Sequence, residues 1–233
     1  MKIPFDPIRA AKAFSTGIAE NHGAPIKYRV VRLGRLALPS GSIVAADPFL
    51  AKYADAFERT VRPGRYMVSF ALATLFSDEV RVAFARLRFS DSPVAQWELA
   101  SVPRQEELPY AGYGVDSSIG SFMDAAYAAK YVIEPEGALE RKICDRLDKK
   151  GGALMRWSFW SPENLACFSS GRGDGVYASY FGLDVNGEPA ELVTDFQIGN
   201  TLDPASMSPH EIEKALQHGG ELRDRVLSWM KAQ

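Results

Sequence analysis

The stretch GRYMVSFALATLF, residues 64–76, carries the strongest indication of the fold. Its residues alternate with the period of two that is typical of a β-strand. Both faces of this strand are apolar or small, with Tyr66, Val68, Phe70 and Leu72 on one and Met67, Ala71, Ala73 and Leu75 on the other. A strand of this kind belongs in the middle of a sandwich, or of a sheet that helices cover. We therefore expect a β-rich core with this strand inside it.

Period-two patterns continue on both sides of this stretch. Residues 28–49, YRVVRLGRLALPSGSIVAADPF, predict two strands joined at 39–41, as in a hairpin. Residues 64–76 and RVAFARLRF, 81–89, predict a hairpin that turns at 77–79. Further strands are predicted in VAQWELASV (94–102), LMRWSFW (154–160), NLACFSS (164–170), GVYASYFGLD (175–184) and AELVTDFQI (190–198). The antiparallel hairpins favour a mostly antiparallel β-sheet or sandwich.

Helical patterns lie at both ends and at one internal position. Residues 1–26 predict an N-terminal helix, which Asp6 caps and Gly23 ends. A helical insertion is predicted at about 124–150, with Asp124 as its cap, and C-terminal helices at 208–232. We interpret residues 1–233 as a single α+β domain, whose β-rich core spans 27–200.

Composition excludes several classes of function. The 233 residues carry a formal net charge of −2, which gives no reason to expect a nucleic-acid partner. The two cysteines have no partner at metal-ligand spacing. No run approaches the roughly 20 apolar residues of a membrane helix, and the N-terminus lacks a signal-peptide layout. We expect a cytoplasmic protein with no membrane association, and the oligomeric state stays open.

A glycine-rich stretch, FSSGRGDGVYASYFGLD at 168–184, is the first candidate for a site. Asn186 and Gly187 follow it and predict a hairpin in which Asp184 hydrogen-bonds its own turn. Gly173 and Gly175, on either side of Asp174, belong to a loop with more glycine than a hairpin needs. Such a loop permits close approach to another loop or to a ligand.

Aspartates supply the best material for chemistry. Several lie at strand ends or in glycine-rich loops, namely Asp47, Asp116, Asp124, Asp174, Asp184 and Asp195. If Asp116, Asp174 and Asp195 converge, their oxygens suit a divalent cation, and no other cofactor is predicted. The alternative is that each aspartate caps a turn or a helix. No catalytic residue is predicted, because the three histidines lie in terminal segments and no serine has an evident base.

Several segments together resemble a bacterial family known as domain of unknown function 4241 (DUF4241). They are GRLALPSGSIVAADPF (34–49), RVAFARLRFSDSPVAQWELA (81–100), GYGVDSSIGSFMD (112–124), FSSGRGDGVYASYFGLD (168–184) and LVTDF (192–196). The Gly-Asp-Gly at 173–175 is the family's hallmark. The chain departs from the family pattern at Arg172, Ser118 and Ser121. The resemblance implies a shared fold and loop design, and it brings no established activity.

Two functions from different classes fit these residues. The first is a binding protein of the immunity type, which neutralises a toxin-like protein by occlusion and uses a surface that includes 169–184. In this hypothesis the candidate binding residues are Asp116, Gly173, Asp174, Gly175, Tyr177, Tyr180 and Asp184, the tyrosines serving as interface anchors. The alternative is a metal-dependent hydrolase or small-ligand enzyme that uses clustered aspartates. The absence of a catalytic constellation favours the binding protein.

Overall fold

A computed structural model describes residues 5–21, 24–74, 80–103, 105, 111–131, 158–161, 165–198, 209–218 and 221–231. Three predicted features lie outside these residues: the turn at 77–79, the helical insertion beyond residue 131, and the strand residues 154–157.

The larger of two sheets is antiparallel throughout. In the order in which they pair, its strands are β1 (Ile18–Asn21), β2 (Ala24–Leu38), β4 (Gly64–Thr74), β5 (Val80–Arg88), β13 (Pro189–Asp195), β12 (Ser179–Leu183) and β6 (Gln96–Leu99). The predicted pairing of β4 with β5 is confirmed, with Phe70 opposite Ala85.

The smaller sheet is also antiparallel. Its strands pair in the order β3 (Ile43–Ala46), β8 (Ile119–Asp124), β10 (Leu165–Ser169) and β9 (Ser158–Ser161). A separate two-stranded ribbon joins β7 (Tyr113–Val115) to β11 (Gly175–Tyr177). The predicted fold class, a mostly antiparallel α+β protein with a sheet-rich core, is confirmed.

Strand β4 is internal and buried on both faces, as its sequence predicts. On the inner face, the Phe70 ring lies 5.6 Å from that of Phe168 on β10, so the two sheets share one core. The outer face is covered by helix α1 (Pro7–Ser15), whose Ala10 and Ala13 are buried and whose Phe14 contacts Phe84. Both sequence-based alternatives, a sandwich and a helix-covered sheet, are therefore realised at this strand.

The N-terminal helix is shorter than predicted, so the prediction of a helix over 1–26 is wrong. Helix α1 ends at Ser15, and Gly17 then takes a φ of 71°, which a left-handed helix terminus requires. The Gly17 carbonyl accepts a hydrogen bond from the Tyr28 amide at 2.6 Å, which starts the pairing of β1 with β2. Residues 18–21 are consequently a strand.

Two further predictions need correction. Strands β2 and β3 do not form a hairpin, because the chain passes at residues 39–42 from the larger sheet into the smaller one. Strands β7 and β8 were not predicted, although β8 is internal to the smaller sheet.

The remaining helices are short. A 3-10 helix spans Ala51–Tyr53, and α2 (Ala125–Tyr131) begins where the Asp124 carboxylate accepts a hydrogen bond from the Ala126 amide at 2.9 Å, as predicted. The predicted C-terminal helices are α3 (Pro209–His218) and α4 (Glu221–Lys231). Within the part of the chain that the structure describes, no helix combines the length and apolarity that crossing a membrane requires.

Candidate functional site

The site is built on a short turn, residues 116–118, between β7 and β8. Asp47 follows β3 and is only 1% exposed. Its carboxylate holds this turn in place by accepting backbone hydrogen bonds. One carboxylate oxygen of Asp47 accepts hydrogen bonds from the amides of Asp116 and Ser117, at 3.0 and 2.9 Å. Its other oxygen accepts one from the Phe49 amide at 2.9 Å. Three backbone donors are therefore satisfied by one buried carboxylate.

The Gly-Asp-Gly loop, residues 170–175, lies against the same turn. The Asp174 carboxylate accepts hydrogen bonds from both the amide and the hydroxyl of Ser118, at 2.9 and 3.0 Å. In return the Ser118 carbonyl accepts one from the Ser170 amide at 3.1 Å. Ser118 has a φ of 58°, a left-handed conformation that costs a non-glycine residue free energy. The contacts with Asp174 and Ser170 hold Ser118 in it.

The loop is also fixed internally, around the carbonyl of Gly173. This oxygen accepts hydrogen bonds from the Ser170 hydroxyl at 2.7 Å and from the Tyr177 hydroxyl at 2.8 Å. Gly173 has a φ of 116°, and a Cβ at this position would lie 3.0 Å from the Ser118 hydroxyl. Close approach to another loop thus accounts for this glycine. We call residues 116–118 and 170–175 together the paired-loop surface.

Four of the predicted binding residues lie in this surface: Asp116, Gly173, Asp174 and Gly175. Asp116 belongs to the same turn as Ser118, which donates hydrogen bonds to the Asp174 carboxylate, and both aspartates are exposed. This juxtaposition joins residues 58 positions apart in sequence.

The two tyrosines are buried. Tyr177 packs edge-to-face on Phe196, with ring centroids 5.0 Å apart, and burial raises its pKa. Tyr180 stacks on Phe5 at 4.1 Å on the outer face of the larger sheet, and burial raises its pKa to about 12. We assign both side chains to packing.

Asp184 holds its own turn, as the local sequence predicts. Its carboxylate accepts hydrogen bonds from the amides of Asn186 and Glu188, at 2.8 and 3.1 Å, and these bonds lower its pKa. The Gly187 amide donates to the Asp184 carbonyl at 3.0 Å and Gly187 has a φ of 79°, so residues 184–188 form the tight turn that connects β12 to β13. This turn lies at the end of β12 away from the paired-loop surface.

Asp195 does not join Asp116 and Asp174. It lies under α1, where its carboxylate forms an ion pair with Arg9 at 3.2 Å, with side chains only 1% and 2% exposed. Arg9 also donates to the Ile198 carbonyl at 3.2 Å. Among the described residues, no group of three or more histidine, cysteine, aspartate or glutamate side chains could hold a metal ion.

Sequence reasoning did not assign the roles of Asp47 and Ser118. The sequence indicates only that Asp47 lies at a strand end and that Ser118 departs from the family pattern. Apart from Phe49 and Leu50, the hydrogen-bond partners of these two residues lie 52 to 70 residues away in sequence, so no local pattern reports them.

The fold and these loops define a two-sheet α+β protein that carries a rigid, polar loop surface beside its smaller sheet. The chain belongs to the family described as protein of unknown function (DUF4241), whose family model matches residues 36–194. The match runs from β2 to β13 and contains the whole paired-loop surface, which confirms the expected resemblance. No curated protein matched the chain. No solved structure matched it either.

Proposed function

We propose that this protein is a binding protein that occludes a protein partner with its paired-loop surface. The observation that carries the proposal is the mutual fixation of two exposed loops by Asp174 and Ser118. A surface that is already ordered loses little conformational entropy when a partner binds, so more of the contact energy appears as affinity.

The exposed groups suit recognition of a polar protein surface. Asp116, Arg172 and Asp174 are exposed on the paired loops and offer charges of both signs, which favour specificity and fast association. Leu50 and Tyr53, which follow Asp47 along the chain, are exposed apolar side chains at 39% and 75%. Tyrosine is enriched at protein interfaces for this combination of area and polarity.

The features of the paired-loop surface also suggest which class of protein the partner belongs to. A small protein with a polar, glycine-rich loop surface that hydrogen bonds hold in place fits an immunity-type role, in which a toxin-like protein is covered and blocked. The alternative, a metal-dependent hydrolase, lacks a supporting carboxylate cluster among the described residues. Binding is therefore the function that the site supports best.

Affinity capture from a lysate of the source organism tests this proposal. Tagged wild-type protein should capture one partner in stoichiometric amount. Asp116→Lys combined with Arg172→Glu should reduce the captured partner by about tenfold or more, because both substitutions reverse an exposed charge at the interface.

Glu188→Lys is the matched control, since it reverses an exposed charge on the turn at the other end of β12. This control should capture as much partner as the wild type. Equal capture by the double variant would overturn the assignment of the paired loops, and the absence of any stoichiometric partner would overturn the binding function.

A further inference from the structure

Four arginines lie together on the outer face of the larger sheet, next to helix α1. In the antiparallel register, Arg32 and Arg86 both lie opposite Ser69, from the strands on either side. Arg35 and Arg88 both lie opposite Met67 in the same way. Residues directly opposite each other share a face of the sheet. We call Arg32, Arg35, Arg86 and Arg88 the arginine quartet.

The spacing of the quartet suits one shared ligand. Strands β2 and β5 are two inter-strand steps apart, which is about 10 Å, and two residues along a strand span about 7 Å. Arginine side chains are long enough to converge over such a rectangle. Arg32, Arg35 and Arg88 are exposed, and Arg86 is half-buried with its guanidinium 3.9 Å from the centre of the Phe14 ring.

Positive charge exceeds negative charge at this place. Arg86 pairs with Glu191 at 3.3 Å, and Arg88 pairs with Asp91, a fully solvated residue, at 3.3 Å. Arg32 and Arg35 have no ion-pair partner among the residues that the structure describes. Burial lowers the pKa of Arg86, and the nearby charges of Arg88 and Arg32 act in the same direction, which agrees with their closeness on the sheet.

Two buried hydrogen-bond donors, one in the arginine quartet and one on the strand between its members, lack an acceptor among the described residues. Ser69 lies between Arg32 and Arg86 and is 2% exposed, and its hydroxyl has no hydrogen-bond partner within the described ranges. The Nε atom of Arg86 is likewise buried and has none there. Buried polar groups normally have hydrogen-bond partners. Two buried donors without an acceptor, next to the positive charges of Arg32 and Arg35, are therefore suited to hydrogen-bond an oxyanion.

We propose that the arginine quartet and Ser69 form a binding site for a multiply charged oxyanion of the phosphate class. Arginine presents a planar fork of donors that matches phosphate oxygens, and the Ser69 hydroxyl supplies a further donor from the sheet surface. Glu191 already neutralises the charge of Arg86, so a dianion balances the remaining positive charge of the quartet better than a single carboxylate does. No paired-loop residue takes part, and the site is independent of the proposed partner-binding surface.

Calorimetric titration of the full chain with inorganic pyrophosphate tests this site. The wild type should show saturable binding. Arg32→Gln and Arg35→Gln should each weaken binding by about tenfold or more, because each removes charge-assisted hydrogen bonds. Ser69→Ala should weaken it less, by several-fold, since it removes one neutral donor.

Arg29→Gln is the matched control, because Arg29 is exposed on the same strand but lies opposite Leu72, on the other face. It should bind pyrophosphate as the wild type does, and thermal unfolding should show that all variants fold. No saturable binding by the wild type would overturn the site. Equal weakening by Arg29→Gln would also overturn it, as would tighter binding of an oligoglutamate peptide at the same arginines.

Discussion

Asp47 is the residue on which the paired loops depend, because its buried carboxylate accepts three backbone hydrogen bonds. Asp47→Ala should leave three donors without an acceptor and lower the free energy of unfolding by about 3–5 kcal/mol. Asp47→Asn should cost less, since its carbonyl oxygen still accepts. Urea unfolding measures both, with Asp184→Ala in a solvated turn as the comparison. An equal loss for Asp47→Ala and Asp184→Ala would show that Asp47 does not support the turn.

Tyr28 is a second residue whose burial has a measurable consequence. Burial raises its pKa from 10.0 to about 12, with Asp195 and Asp6 acting in the same direction and Arg9 against it. Between these two pH values the unfolded chain loses the phenolic proton while the folded chain keeps it, so stability falls as pH rises through this window.

Tyr28→Phe should therefore flatten the loss of stability between pH 10 and about 12. At neutral pH the substitution should be neutral or stabilising by up to about 1 kcal/mol, because the Tyr28 hydroxyl has no hydrogen-bond partner among the described residues. Urea unfolding over a pH series checks both points. If Tyr28→Phe lost stability between pH 10 and about 12 as steeply as the wild type, ionisation of Tyr28 would not be the cause of that loss.

At the scale of elements, helix α1 is attached to the larger sheet by a buried charge pair as well as by apolar contacts. Arg9→Met should lower the free energy of unfolding by about 3–5 kcal/mol, because the buried Asp195 carboxylate then loses the guanidinium of Arg9. Adding Asp195→Asn should recover part of this loss. Chemical unfolding of the single and double variants measures the coupling, and simple additivity of the two losses would refute it.

The elements that sequence predicts well are those whose signals are local. Alternation on both faces of residues 64–74 predicts an internal strand, and the turn residues after Leu183 predict the hairpin of β12 and β13. Strand β8 escapes prediction because IGSFMD contains Gly120 and Ser121, which have low β-propensity, and only its neighbours β3 and β10 make it a strand. The predicted N-terminal helix runs too far because two glycines, Gly17 and Gly23, could each end it, and the left-handed φ of Gly17, 71°, shows that the first one does.

The candidate site is less predictable than the fold, because its contacts join residues that are far apart in sequence. Asp116 and Asp174 can be selected as aspartates that local structure does not explain. Their two loops are joined by the hydrogen bond from the Ser118 amide to the Asp174 carboxylate, and sequence spacing does not encode this contact across 56 residues. Likewise the partner of Asp195 is Arg9, which is 186 residues away and looks like an ordinary helix residue.

At the scale of the whole molecule, Phe168 joins the two sheets. Its fully buried ring lies between Phe70 of the larger sheet and Phe122 of the smaller, at 5.6 and 4.9 Å. Phe168→Ala should lower the free energy of unfolding by about 3–5 kcal/mol, the cost of a large cavity in a core. Native-state hydrogen exchange should show equal destabilisation of amides in β4 and β8. Loss of protection in only one sheet would mean that the sheets unfold separately.

Hydrogen exchange of the co-purified complex shows whether the paired-loop surface contacts the protein partner. Amides of residues 116–118 and 170–175 should gain protection when the partner is bound, while those of the turn at 184–188 should not change. Protection confined to the turn at 184–188, or to the outer face of the larger sheet, would contradict the claim.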